Sequence, residues 1–332
     1  MLRFHLSYVL VALLLAGCLQ SESIDGGLFV TEQEGCTQDL WRLDDFQQEF
    51  VVEGTTIKLA LDTNVDAEEA RALVGVVGDA NRLLPADIKP LQTLRVLVCG
   101  EGGAAYNSVI TDKPIVVVPV RYKIDGGEEA AGAKASQAVF LHEYGHVVFD
   151  AYLSSQSEGY AAYKKQGQQL IDAYEEFQRT NNRDPNYLTL RLRIRDLSLD
   201  KNRYHRRARP FTELVADTLA VATLRDGKAV TQVFAEVSAP EQYQLHTRFR
   251  DFTLEHAAEN TPFDPYLVFA PTRTALWRTY GNGTQESWGR ALSLLFKASA
   301  AELDAWVAQE PRNEHDDATT LNRALLGRML IQ

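Results

Sequence analysis

The sequence predicts an α+β fold, with a small twisted N-terminal β-sheet and a mainly helical C-terminal lobe, and three observations carry that prediction. Strand-like apolar runs fall early in the chain: TTIKLAL (Thr55–Leu61) alternates with period two, and TLRVLVC (Thr93–Cys99) and KPIVVVPV (Lys113–Val120) are two further candidates separated by glycines. Beyond Ser154 the pattern turns helical, in EGYAAYKKQGQQLIDAYEEFQR, RPFTELVADTLAVATLR, PEQYQLHTRFRDFTLEHAAE and three stretches after Pro271. The third observation is composition: 45% hydrophobic and 24% charged over 332 residues describes a chain that buries a sizeable core.

The elements follow in order. MLRFHLSYVLVALLLAGC has one early basic residue, Arg3, an apolar run from about Leu6 to Leu15, and small residues before a cysteine. This is the layout of an export signal, too short to count on as a spanning helix. Leu15, Ala16, Gly17 and Cys18 resemble the bacterial lipobox, which implies acylation of Cys18 and removal of residues 1–17; a cysteine placed there by chance is the alternative. The resemblance implies an exported lipoprotein of the cell envelope, and Leu19 after the cysteine points to the outer membrane if the host is Gram-negative. The lipid bilayer is then a partner through acylated Cys18. No later segment is long and apolar enough to span it, and no transmembrane partner is implied.

With Cys18 taken by lipid, Cys36 and Cys99 remain, and an exported compartment favours a disulfide between them; two unpaired buried thiols are the alternative. A polar tether over residues 18–40 leads into one continuous domain, 41–332, with the sheet and the motif helix in 41–153 and the helical lobe in 154–332. DAEEARALVGVVGDANRLL (Asp66–Leu84) reads as one helix with acidic residues in its first turn. In YLTLRLRIRDL, leucine and isoleucine alternate with arginine, which fits an extended segment or a helix with an arginine face. The net charge of −11 lacks the basic footprint that a nucleic-acid partner requires.

The chemistry concentrates in AVFLHEYGHVVFD (Ala138–Asp150). On a helix, His142 and His146 project from one face a turn apart, close enough for both imidazoles to reach one ion, with Glu143 beside them. Two neutral imidazoles can ligate zinc while a neighbouring carboxylate takes a proton from metal-activated water. Val139, Phe140, Leu141, Val147, Val148 and Phe149 make the helix a buried one. Gly145 is unfavourable there by up to about 1 kcal/mol against alanine, and it admits a close approach by another backbone or a substrate. The alternative is two core histidines and a salt-bridged glutamate.

A third ligand is needed, and the apolar helix RPFTELVADTLAVATL carries Glu213 and Asp217 four residues apart on one face. Glu213 is the candidate third ligand, and Asp217 the acceptor for the other imidazole N–H of a ligand histidine. Ordinary helix-surface acids are the alternative, although Leu214, Val215, Ala216, Leu219 and Ala220 leave them little polar face.

Together, His142-Glu143-xx-His146 and Glu213-xxx-Asp217 resemble the gluzincin metallopeptidases, the clan of thermolysin and neprilysin. The resemblance covers about Thr55 to Arg225. It implies a zincin-like fold, one zinc ion on His142, His146 and Glu213, Glu143 as general base, Asp217 behind His142, and a peptide or protein substrate. Gluzincins also lay an edge strand along the substrate, carrying an Asn-Ala-aromatic signature. Here the comparable stretch is AAYNSVI, with Ala105, Tyr106 and Asn107 as candidates and the asparagine displaced to follow the aromatic. For the oxyanion donor, usually a downstream His or Tyr with an Arg nearby, the candidates are His246, His256, Tyr243 and Tyr266. Tyr266 and Arg273 stand out in the proline-bracketed FDPYLVFAPTRTALW. The basic stretch DKNRYHRRARP, before the Glu213 helix, reads as a cleft mouth, a lipid-headgroup contact or a solvated face. The competing function is a catalytically silent zincin-fold lipoprotein that serves as a binding or scaffolding module.

Overall fold

Five strands form one mixed sheet in the order β1-β2-β3-β5-β4. β1 (Gln48–Val52) and β2 (Thr55–Leu61) are an antiparallel hairpin, turned at Glu53 and Gly54. Both turn residues have positive φ, 43° and 82°, the two-residue geometry that matches strand twist. β3 (Thr93–Gly102) and β5 (Ile115–Tyr122) run parallel to β2, pairing Leu59 with Val96 and Val96 with Val116. The two-residue β4 (Ala105–Tyr106) closes the far edge, antiparallel to β5. The computed structural model describes residues 46–88, 91–102, 105–106, 115–123, 130–179, 186–199, 202–237, 243–309 and 318–330. Cys18, Cys36 and Asn107 lie outside these.

The near-continuous apolar runs of β3 and β5 reflect burial on both faces of the sheet. Ile57, Leu59, Val96, Val98, Val116 and Val118 point into the main core beneath the helices, whereas Ala60, Leu97, Cys99, Ile115 and Val117 form a second cluster with Phe46. Cys99 is disulfide-bonded. The expected partner, Cys36, is among the residues not described.

The crossover from β2 to β3 carries α1 (Ala67–Gly75) and α2 (Val77–Leu83), two helices where the sequence reads as one. Asp66 caps α1 by accepting from the backbone N–H of Glu68 and Glu69. The break follows Gly75, and Gly78 lets α2 settle on β1, where a Cβ would come 2.7 Å from Val52 Cγ1.

From Ala131 onward the described chain is helical: α3 (Ala133–Gln156), α4 (Glu158–Arg179), α5 (Tyr187–Leu197), α6 (Arg203–Leu224), α7 (Ala229–Glu236), α8 (Gln244–Phe249), α9 (Ala270–Tyr280), α10 (Gln285–Ala308) and α11 (Ala318–Leu330), with a short 3₁₀ turn at Ala258–Asn260. The YLTLRLRIRDL segment is therefore a helix. The sequence reads residues 240–259 as one long helix; among the described residues of that stretch, 243–259, the helix is only the six-residue α8, followed by turns. In the turn after α8, Asp251 accepts from the N–H and hydroxyl of Thr253, and Phe252 N–H is drawn off to the carbonyl of Gly227.

α3 packs on the sheet and on α6, and both are buried almost all round through their central turns. A side-chain chain fixes α3 to the sheet: Tyr144 OH donates to Asn81 Oδ1 at 2.5 Å, and Asn81 Nδ2 donates to Thr55 Oγ1 at 2.8 Å. The N-terminal arginines of α6 are put to structural use, since Arg203 and Arg207 donate to the carbonyls of Val307 and Trp306 in the last turn of α10.

Candidate metal centre

Gly145 explains how two long helices bring their side chains to one point. A Cβ at that position would lie 2.6 Å from Cα and 3.3 Å from Cβ of Ala216, so α3 and α6 touch backbone to backbone there. His142 and His146 flank the contact on α3, as Glu213 and Asp217 flank it on α6.

Four separations define the centre. His142 Nε2 and His146 Nε2 are 3.0 Å apart; His142 Nε2 is 3.4 Å from Glu213 Oε2; His146 Nε2 is 3.8 Å from Glu213 Oε1; His142 Nδ1 is 2.9 Å from Asp217 Oδ1. Because a carboxylate only accepts, His142 carries a proton on Nδ1 toward Asp217, so Nε2 is the nitrogen that faces His146 and Glu213 and becomes a ligand atom when a cation displaces its proton. Among the described residues, His142, His146 and Glu213 are the group that could hold a metal ion, all three buried with ligand atoms within 4.8 Å of one another.

The electrostatics of the cluster point the same way. Both carboxylate oxygens of Glu213 are buried without a hydrogen-bond donor, as is Oε2 of Glu143. Burial raises the Glu143 carboxyl to about 7, reinforced by the charge of Glu213. Burial works against ionisation of Glu213 too, but the imidazoles and Arg250 overcome it and hold Glu213 at about 2. The histidines diverge: burial lowers both, yet Asp217 and Glu213 bring His142 up to about 9, while His146, facing a charged His142, falls to about 3. Two imidazoles this close share room for one positive charge, and a cation between them serves both.

Asp217 is the most heavily bonded group in the cluster. Arg250 donates to it through Nε (3.1 Å) and Nη2 (2.5 Å), and Arg273 donates through Nε at 3.0 Å and adds an ion-pair separation of 2.7 Å from Nη2. The two guanidiniums hold Asp217 well below the usual carboxylate range against the opposing effect of burial. Arg250 Nη2 also lies 4.0 Å from Glu213 Oε2. The sequence does not single out Arg250. It sits in RFRDF with no motif around it, and the one signal for it was that two acids in an apolar helix require buried counter-charge.

The remaining candidates are placed as follows. Tyr266 lies between two guanidiniums, Arg209 at 5.1 Å and Arg250 at 5.2 Å from its ring centre, and its OH accepts from Arg209 at 3.0 Å. His246 meets the same ring edge-on at 5.1 Å, and burial followed by the charge of Arg250 lowers it to about 4. Arg273 is wholly buried on Asp217, so it touches the orienting carboxylate. Tyr243 stacks on Phe234, and His256 stacks on Phe249 with its Nε2 on the carbonyl of Arg248. Ala105 and Tyr106 form the edge strand β4, opposite Val117 and Val116. No protein family, curated protein or solved structure matches this chain.

Proposed function

We propose that this protein is a zinc-dependent peptide hydrolase of the gluzincin type, zincin-like in fold and held at a bilayer in the cell envelope through acylated Cys18. One observation carries the reading: two imidazoles of α3 and a carboxylate of α6 converge within 4.8 Å, beside a second buried carboxyl group, Glu143, on the helix of the histidines. The donor set suits zinc. Ligands on a tetrahedral ion with bonds of about 2.0–2.2 Å stand roughly 3.3–3.6 Å apart, and the separations here are 3.0, 3.4 and 3.8 Å. Glu213, buried and without a hydrogen-bond donor, is a carboxylate whose natural complement is a cation.

Zinc bound there supplies a Lewis acid that lowers the pKa of water and polarises a carbonyl. The side chains contribute the rest. Asp217 keeps the His142 proton on Nδ1, and Arg250 and Arg273 keep Asp217 ionised and in place. Glu143 accepts the proton of the attacking water and returns it to the leaving amine. Tyr266, steadied by Arg209, is the candidate donor to the developing oxyanion. β4 offers an edge on which an extended peptide can pair, with Ala105, Tyr106 and Asn107 nearest it in sequence.

The test is hydrolysis of a mixed peptide library by metal-loaded protein, read by mass spectrometry. Wild type should cut, and Glu143→Gln should lose at least about 100-fold in rate. An uncut library, or an equally active Glu143→Gln variant, contradicts the proposal.

A further inference from the structure

The charge of this chain is unevenly distributed. Residues 187–209 hold eight of the 34 Lys and Arg and two of the 45 Asp and Glu, so that stretch carries +6 and the rest of the chain −17. Part of this charge faces inward, through Arg207 on Trp306 and Arg209 on Tyr266. Arg191, Arg193 and Arg195 on α5, and Arg203 and Arg206 in the first turn of α6, are exposed.

α5 is amphipathic in an unusual sense. Its inward side is already satisfied by Leu190, which is buried, and by Ile194 and Leu197, which pack on the main core. Yet Leu188 and Leu192, one turn apart on the opposite side, are 63% and 41% exposed. Arg191 and Arg195, also one turn apart, line one flank of this leucine pair. The nearby acids are engaged, Asp196 with Arg195 at 2.9 Å and Glu176 with Arg193 at 3.5 Å.

We propose that the outward face of α5, with the first turn of α6, is a docking surface for an anionic phospholipid bilayer. Outward leucines flanked by guanidiniums suit the interface between acyl chains and charged headgroups, where arginine stems lie along apolar surface and their ends meet phosphate. An acidic macromolecule in water would match the arginines and leave the leucines exposed. The remainder of the chain, at −17, is repelled by such a bilayer, which favours approach through the basic stretch. Glu213 lies ten residues along α6 from Arg203, about 15 Å of helix rise, so docking also fixes the metal centre near the membrane surface. The surface is a weak second contact, made effective by the tether; in that respect the inference rests on the reading of Cys18 as a lipid anchor.

The two readings are separable. Residues 18–332, made without the signal peptide and therefore without acyl chains, are sedimented with vesicles of phosphatidylcholine alone and with vesicles containing phosphatidylglycerol. Binding should require the anionic lipid and fall at high salt. It should weaken about tenfold or more in Leu188→Glu/Leu192→Glu and in Arg191→Glu/Arg195→Glu, while Val51→Glu, which changes an apolar residue on β1 more exposed than either leucine, binds as wild type. Circular dichroism confirms the fold of each variant. No binding, equal binding to both vesicles, or an equal loss in Val51→Glu overturns the docking surface. Fatty-acid labelling of the full chain, abolished by Cys18→Ser, tests the anchor and is blind to α5.

Discussion

Gly145 of α3 and Ala216 of α6 meet backbone to backbone, and the distance from a Cβ at position 145 to Ala216 Cα would be 2.6 Å. The contact is what allows two histidines on one helix and two acids on another to reach each other across the interface. It also yields the first prediction. Gly145→Ala gains up to about 1 kcal/mol of helix propensity and loses about 1–3 kcal/mol or more to overpacking against a backbone that cannot yield. Thermal denaturation should show net destabilisation and metal titration a weaker site. Gly327→Ala in α11, with open space around it, should be neutral or slightly stabilising.

Asp217 is the next test. Its replacement by asparagine removes the charge that Arg250 and Arg273 share and leaves Arg250 to the more distant Glu213, which costs about 3–5 kcal/mol. It also releases the His142 tautomer, which should cost about 10–100-fold in metal affinity. Denaturant melts and competitive chelator titration measure the two separately, and an unchanged affinity would mean that Asp217 is purely structural.

Glu143 makes a prediction about pH. Its carboxyl is raised to about 7 by burial, from an ordinary value near 4.5. The folded state thus binds the proton more tightly than the unfolded state, and Glu143 destabilises the fold increasingly as pH rises from about 4.5 to 7 and constantly above that. In chelator, Glu143→Gln should match wild type near pH 4 and be more stable at pH 8, by no more than about 3 kcal/mol. Equal melting temperatures at both values would contradict this.

Tyr144 anchors the motif helix to the sheet through Asn81 and Thr55. Tyr144→Phe leaves Asn81 Oδ1 without that donor and should cost about 1–3 kcal/mol. Metal stoichiometry should stay the same, because the hydroxyl is bonded to Asn81 on α2 and not to His142, His146 or Glu213.

Legibility in the sequence followed the strength of the local signal. His142, Glu143 and His146 were readable because three polar residues interrupt an otherwise apolar helix, and Glu213 and Asp217 for the same reason. β2 is legible from its period-two alternation, and β3 and β5 from apolar runs set off by glycines. β1 is not: its five residues lie at an edge, and QEFVV alternates too briefly to stand out. Helical periodicity over 240–259 is silent about Asp251, whose side chain takes the N–H and hydroxyl of Thr253 in the turn after α8. Arg250 itself was invisible, since its role depends on a tertiary contact with Asp217 on a distant helix. Gly145 is anomalous in the sequence of an apolar helix, but only the packing of α6 reveals what it admits.

The most direct measurement is zinc content by elemental analysis of residues 18–332, in wild type and in His146→Ala and Glu213→Ala. One equivalent of zinc in folded wild type and its loss in both variants is the expected result. Folded wild type that takes up no zinc after loading, or variants that retain it, would contradict the metal centre and leave His142 and His146 as core residues.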